Sequence, residues 1–385
     1  MKMKKTWIIL PAVALVLLSG CGNTKTVDTQ ATTETAVATE GTADGSAEAL
    51  LNQALDMIDA GKNDEAYQIF QQIADKGEPV GVFGLGECYL RGIGVEVDEK
   101  KAFEYYQQAA DKGYLPGQVM VGFGYLYGMG VEADAEKAFN EYLLPAAEKG
   151  DSAAEYYVGY CYDTGIGVKQ DYENAFKYYK LAAEQDYPEA ENRLGQFYQF
   201  GMVGDVDMKE AAKWYLPAAE KGLPEAQYNI GYCYYHGEGV EKDIDKALEY
   251  IQSAADQGNP DALYTIAQFY RHGDHFEQSN EKAVEYYTKS ADQGYALAQF
   301  DLGFCYYKGE GVDVDYDKAA ELYSLAAEQG IPVAMFACGD CYFEGKGREK
   351  DLDKAKEWFQ KSLDAGYEPD DTDKAHMKEV GIEVK

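Results

Sequence analysis

The sequence predicts an all-α protein built as a solenoid of stacked antiparallel helical hairpins, and three observations predict it. A glycine returns every 36 residues along most of the chain; each interval holds two apolar stripes of helical period; and a short glycine-bearing turn separates the stripes. Gly77, Gly113, Gly150, Gly222, Gly258, Gly294, Gly330 and Gly366 mark the period, with one extra residue before Gly150 and Asp186 in the one missing place. They bound eight units: 78–113, 114–150, 151–186, 187–222, 223–258, 259–294, 295–330 and 331–366.

The fifth unit shows what each position is for. Ala226, Ile230, Cys233, Tyr234 and Gly237 stand at steps 0, 4, 7, 8 and 11, which one face of an α-helix brings together; this is helix A. Gly231 removes a side chain on the flank, where another helix approaches closely. Gly-x-Gly-Val follows at 92–95, 128–131, 165–168, 237–240 and 309–312, and glycine's access to positive φ lets the chain reverse. Four residues before the alanine of the next stripe stands Asp98, Asp134, Asp171, Asp207, Asp243, Asp315 or Asp351, and Ser279 in the sixth unit. Both residue types accept hydrogen bonds from free N–H groups, so the position reads as the N-cap of a helix B. Ala247, Tyr250 and Ala254-Ala255 give helix B its packing face. Prolines two or three residues past the period glycine (Pro79, Pro116, Pro224, Pro260, Pro332) read as helix stops.

A lone hairpin cannot bury both its faces, so stability has to come from stacking. Residues 47–77 lack the Gly-x-Gly turn but show two short amphipathic stretches around Gly61 and read as an N-terminal capping hairpin. Residues 367–385, helix-prone from Asp370 to Glu379, read as the C-terminal cap.

The N-terminus reads differently. Lys2, Lys4 and Lys5 precede an apolar run, Trp7 to Leu18, that ends in Leu18-Ser19-Gly20-Cys21. This resembles a bacterial lipoprotein signal peptide over residues 1–20, with Cys21 as the lipidation site. Residues 21–46, rich in Thr, Ala, Glu and Gly and free of aromatics, read as the lipidated cysteine and a disordered tether reaching roughly 25–30 Å. The expected location is extracytoplasmic and lipid-anchored, at the cell membrane or, in a two-membrane host, the outer membrane, since Gly22 supplies no aspartate retention signal.

Across the units runs the pattern Ala-x-x-x-Leu-Gly-x-x-Tyr-x-x-Gly-x-Gly-Val-x-x-Asp-x-x-Lys-Ala-x-x-x-Tyr-x-x-Ala-Ala-x-x-Gly, which resembles the Sel1-like repeat, a relative of the tetratricopeptide repeat. The resemblance covers residues 78–366. It implies a right-handed superhelix that acts as an adaptor for other macromolecules, and it names no ligand. Three loops depart: Met202-Val203-Gly204 displaces the second glycine, Gly273-Asp274-His275-Phe276 replaces it, and Arg348 replaces the valine. Loop length is kept, so altered turns on an intact stack are expected. Some family members carry two disulfide-forming cysteines per repeat, whereas units one to seven here carry at most one. Cys88, Cys161, Cys233, Cys305 and Cys341 all stand at step 7 of the core stripe and Cys338 at step 4, so buried free thiols are expected.

Net charge is −33, and −36 without residues 1–20, which contain three lysines and no acids. That argues against nucleic acid and against adhesion to anionic lipid, leaving the N-terminal lipid as the membrane link. No nucleophile elbow, phosphate-cradling loop or His-Glu-x-x-His appears, so neither enzyme activity nor a cofactor is expected. His236, His272 and His275 form a weak metal candidate at best. Aromatics at steps 6 and 9 of helix A point away from the core stripe: Phe123, Tyr160, Tyr232 and Phe304, then Tyr235, Tyr307 and Phe343. They either line a ligand groove, beside polar residues such as Glu87, Asp163, Gln268, Arg271 and Asp340, or fill the inner wall. The function expected first is a surface scaffold binding a protein or peptide partner through the concave face. A cell-wall glycan or peptidoglycan-fragment binder is the alternative, and a cell-wall hydrolase or penicillin-interacting enzyme a weaker one.

Overall fold

The computed structural model describes residues 46–384, and every regular element among them is a helix. The signal segment, Cys21 and all of the tether except Ser46 lie outside the described residues. None of the described helices is long and apolar enough to cross a membrane.

The fifth repeat carries the construction rules. Helix A is Pro224–His236 and helix B Ile244–Asp256. Helix A ends on Gly237 in the left-handed region (φ 75°), whose N–H donates to the Cys233 carbonyl. The chain then crosses to Asp243, whose carboxylate accepts the Lys246 N–H at 3.1 Å, and all eight capping residues named from the sequence accept such a bond. Lys246 is placed for a second task. Its ammonium lies 3.7 Å from Asp243 Oδ2 and 5.2 Å from the centre of the Tyr234 ring, which stacks on Tyr250. The same lysine-over-tyrosine contact occurs at Lys101, Lys137, Lys282, Lys318 and Lys354. Asp-x-x-Lys therefore fixes both the start of helix B and its docking on step 8 of helix A, which is half-buried rather than core.

The glycine after step 4 is explained by a large helix-B side chain, an aromatic ring in most repeats. A Cβ at Gly159 would stand 2.7 Å from the Tyr179 ring, and at Gly231 2.8 Å from Ile251. Helix B thus lies directly on the helix-A backbone. A second aromatic set ties one repeat to the next. Step 2 of helix A packs on the helix-B ring of its own repeat and on the residue that opens the next: Phe83 on Tyr106 and Tyr114, Tyr156 on Tyr179 and Tyr187, Tyr264 on Tyr287 and Tyr295, Phe336 on Phe359 and Tyr367.

Two details correct the sequence reading. The prolines do not stop the preceding helix. Pro79, Pro224, Pro260 and Pro332 are first residues of helix A and Pro116 a second, where a missing N–H is no loss. The eighth loop is also unaltered, since Gly345 (φ 75°) and Gly347 (φ 69°) keep the usual pair. The extra residue of the second repeat is absorbed as a π-helical stretch, Ala138–Leu143, inside an otherwise α-helical rod. There Asn140 donates its side-chain amide to the Glu136 carbonyl at 2.9 Å.

The described chain forms two compact units that meet between Leu194 and Gly195, within helix A of the fourth repeat (Pro188–Phe200). The first contains the capping hairpin (Ala47–Asp59 and Asn63–Asp75) and repeats one to three. The second contains repeats five to eight and a final helix, Asp371–Glu379. That helix is a shortened helix A of a ninth repeat: Tyr367, Met377 and Gly381 continue the 36-residue register of Ile331, Cys341 and Gly345. Met377 fills the step-7 core position completely buried, and Gly381 has φ 80°.

Candidate ligand-binding face

All six described cysteines are free and buried, and burial pushes their thiols up to about 11 or 12. They are core residues with no reactive thiolate. The histidines do not converge. His275 Nε2 meets the Tyr235 hydroxyl at 3.2 Å, His272 Nε2 meets Gln268 Oε1 at 2.9 Å, and His236 packs on Tyr232 with 4.2 Å between ring centres. No group of three His, Cys, Asp or Glu able to hold a metal occurs among the described residues, so the weak metal candidate is withdrawn.

The aromatics of steps 6 and 9 divide. Phe123 is 3% exposed, its ring 4.0 Å from Tyr157, and belongs to the inner wall rather than to any groove. Tyr160 is half-buried in the same unit. In the second unit Tyr232 is 37% exposed, and Tyr235, Phe304, Tyr307 and Phe343 are half-buried with their polar neighbours beside them. The reason lies one repeat further on. Tyr157 stands at step 3 of the repeat after Phe123 and covers it, whereas the small Thr265 holds that place after Tyr232 and Ala337 after Phe304.

Around these rings the second unit carries a continuous set of polar contacts. Asp301 accepts from Tyr264 Oη (2.9 Å), Gln268 Nε2 (2.9 Å) and Arg271 NH1 (3.0 Å). Arg271 also reaches Glu310 at 3.3 Å and lies 4.9 Å over the Phe304 ring. Tyr307 donates to Glu344, and Lys346 joins both, at 2.9 Å from the carboxylate and 3.1 Å from the hydroxyl. Burial pushes the Tyr307 hydroxyl up to about 12, with Glu344 adding to the effect. In the eighth repeat His376 of the final helix stacks on Phe343 and pairs with Asp340 at 2.9 Å. Burial raises that carboxyl to about 6, against the pull of His376. In the first unit Glu87 sits deep instead, accepting from Tyr106 Oη at 2.6 Å and from Arg91 at 3.0 Å; burial raises its pKa.

Sequence reasoning missed His376 and the exposed side chains of the fourth loop. The signal for the first was available, because Tyr367 and Gly381 stay in register and make His376 a step-6 residue. Phe200, 65% exposed at step 10, and Val206, 62% exposed in the displaced loop, carry no repeat signature.

Comparison with known proteins fits this geometry. The Sel1 repeat model matches eight times, at 79–114, 115–151, 152–187, 188–223, 224–259, 260–295, 296–331 and 332–367, and the tetratricopeptide repeat model matches 48–76. No curated protein matches the chain. Among solved structures, c5321, a protective antigen present in uropathogenic Escherichia coli strains and displaying the same repeat fold, is similar at 28% identity, with a TM-score of 0.61 over 87% of this chain and 75% of its own. A Sel1 repeat protein from Oxalobacter formigenes is similar at 28% identity, with a TM-score of 0.55 over 81% of this chain and 90% of its own. Sel1 repeat proteins typically serve as scaffolds that bind protein partners. With eight matched repeats over most of its length, this chain belongs to the Sel1 repeat family.

Proposed function

We propose that the chain is a non-enzymatic scaffold that binds a protein or peptide partner along the helix-A face of its second unit. One observation carries this: in repeats five to eight the packing positions at steps 0 and 5 hold only alanine or glycine, whereas step 6 differs in every repeat and steps 9 and 10 share a residue only between Tyr235 and Tyr307 and between His236 and His272. These positions present Tyr232, Tyr235 and His236, then Gln268, Arg271 and His272, then Phe304, Tyr307 and Lys308, then Asp340, Phe343 and Glu344. Packing demands the same residue in each repeat, and recognition of an irregular ligand demands different ones. The similar E. coli protein is described as a protective antigen, which accords with a surface role. We place the scaffold outside the cytoplasm, anchored through a lipid on Cys21.

The exposed ring of Tyr232, 37% accessible, favours a cell-wall glycan as the second reading, since rings stack on sugars as they do on side chains. A photo-crosslinking residue at Tyr232 or Phe304, compared with one at the exposed Leu325 of helix B, tests the scaffold reading. It expects a discrete protein adduct from the helix-A positions alone. Equal labelling from Leu325, or adducts with sacculi only, overturns it.

A further inference from the structure

In the loops, the second glycine is held by the stack itself. A Cβ on Gly239 would stand 1.9 Å from the Met208 carbonyl oxygen of the preceding helix B, and on Gly311 2.3 Å from that of Asn280. A Cβ at either position would force the loop to lift from that helix, so glycine is favoured there twice over, by space and by φ. The sixth repeat nevertheless carries His275 at this position, with φ 66°. Asp186 is the other non-glycine residue with positive φ among the described residues. It replaces a period glycine, and at Gly222 or Gly258 a Cβ would meet nothing within 4 Å. Asp186 therefore bears the backbone cost alone, while His275 bears it at the position where Gly239 and Gly311 leave a Cβ no room. Strain retained at one loop of an array points to function rather than packing.

His275 does not stand alone. Its ring meets Tyr235, which packs on His236, which packs on the exposed Tyr232. One repeat earlier, the same edge holds Phe200 and Val206, large apolar side chains left mostly in solvent beside a loop whose glycine is displaced. Acids fringe all three loops: Asp205, Glu238, Glu241, Asp274 and Glu277 are exposed and enter no ion pair among the described residues. Their counterweights on the same stretches are Lys242, drawn over Tyr235, and Arg271, already held by Asp301 and Glu310. The result is an apolar strip in an acidic frame.

We propose that this edge of repeats four to six, within the second unit, docks an extended peptide segment with a central aromatic or aliphatic anchor flanked by lysine or arginine. The inference rests on the scaffold reading and gives it a location and a ligand chemistry. Three successive A helices span about 20 Å, which roughly six extended residues cover. The anchor packs on Phe200 and Tyr232, and the flanking cations face the loop acids. Charge complementarity of this kind sets partner choice and salt dependence.

The test uses the full chain and fluorescein-labelled Lys-Lys-Phe-Leu-Lys-Lys, read by anisotropy against Lys-Lys-Ala-Ala-Lys-Lys and Glu-Glu-Phe-Leu-Glu-Glu. The first peptide should bind at least about tenfold more tightly than either control and weaken as salt rises. Phe200→Ala should weaken it about tenfold with the helical signal intact. His275→Gly restores the repeat's own residue and cannot fail by unfolding: it should raise the melting temperature while weakening the peptide. Equal binding of the acidic peptide, a lowered melting temperature in H275G, or displacement of the peptide by tetra-N-acetylglucosamine overturns the proposal. If the peptides fail while Tyr232 and Phe304 still crosslink a protein, the scaffold reading stands and this site falls. If the crosslinks are also absent, the reading beneath it falls as well.

Discussion

Substituting Gly239 by alanine tests how repeats are joined, and the size of its effect follows from two separate contacts. Alanine at φ 77° costs about 1–2 kcal/mol for the left-handed conformation alone. The added Cβ would also stand 1.9 Å from the Met208 carbonyl, so the loop must lift from helix B of the fourth repeat (Met208–Glu220). Forced displacements of this sort cost about 1–3 kcal/mol. The total is about 2–5 kcal/mol. Gly237→Ala is the control: it has the same φ penalty, but its Cβ meets the Lys242 Cβ at 3.1 Å, which yields more readily. Urea unfolding followed by circular dichroism should place G239A about 1–3 kcal/mol below G237A. Amide exchange should localise the difference to the start of helix B in the fourth repeat. If the two variants are equally stable, the loop glycine serves only the turn, and the account of how repeats stack is wrong.

Phe123→Ala should cost about 3–5 kcal/mol, as loss of a buried ring does, while Tyr232→Ala at the same helical step should cost less than about 1 kcal/mol; thermal melts of both check it. The Asp340 carboxyl titrates near 6 when folded and near 4 in an unfolded chain, so the folded state holds the extra proton between those values. Stability relative to Asp340→Asn should therefore fall as pH rises from 4 to 7, by up to about 2 kcal/mol. Exchange protection of Asp371–Glu379, corrected for intrinsic rates, reports it, and protection that rises instead refutes the assignment. Glu87→Ala leaves Tyr106 Oη and the Arg91 guanidinium without their buried partner and should cost about 3 kcal/mol, read by urea unfolding; Glu87→Gln keeps an acceptor for the tyrosine and should cost less.

Much of the fold was legible because each position is tested eight times over. An N-cap that is Asp in seven units and Ser in one, a glycine under a ring, and a lysine three residues past most of the caps recur at 36-residue spacing, so their physical roles emerge from substitution within one chain. The prolines were misread because one residue closes a sequence interval and opens a helix at once, and only backbone geometry tells which. The position of the π-helical stretch was hidden for a related reason: an inserted residue announces itself in the period but not where the helix absorbs it. The candidate face was legible in part. Steps 6 and 9 hold both buried and accessible rings, and exposure at step 6 follows the size of step 3 in the following repeat. Comparing Tyr157 with Thr265 would have separated Phe123 from Tyr232. The apolar residues of the fourth loop had no such partner to compare with, since that loop breaks the pattern that made the rest readable.

The central claim is that recognition and packing occupy different positions of the same helices. Replacing Tyr232 and Phe304 together by alanine tests it most directly, with the melting temperature and partner retention measured on the same preparation. The account predicts a melting temperature within about 2 °C of the parent and loss of partner capture from a native surface extract. A collapse in melting temperature with capture retained in the surviving folded protein would contradict it, and would return both rings to the inner wall.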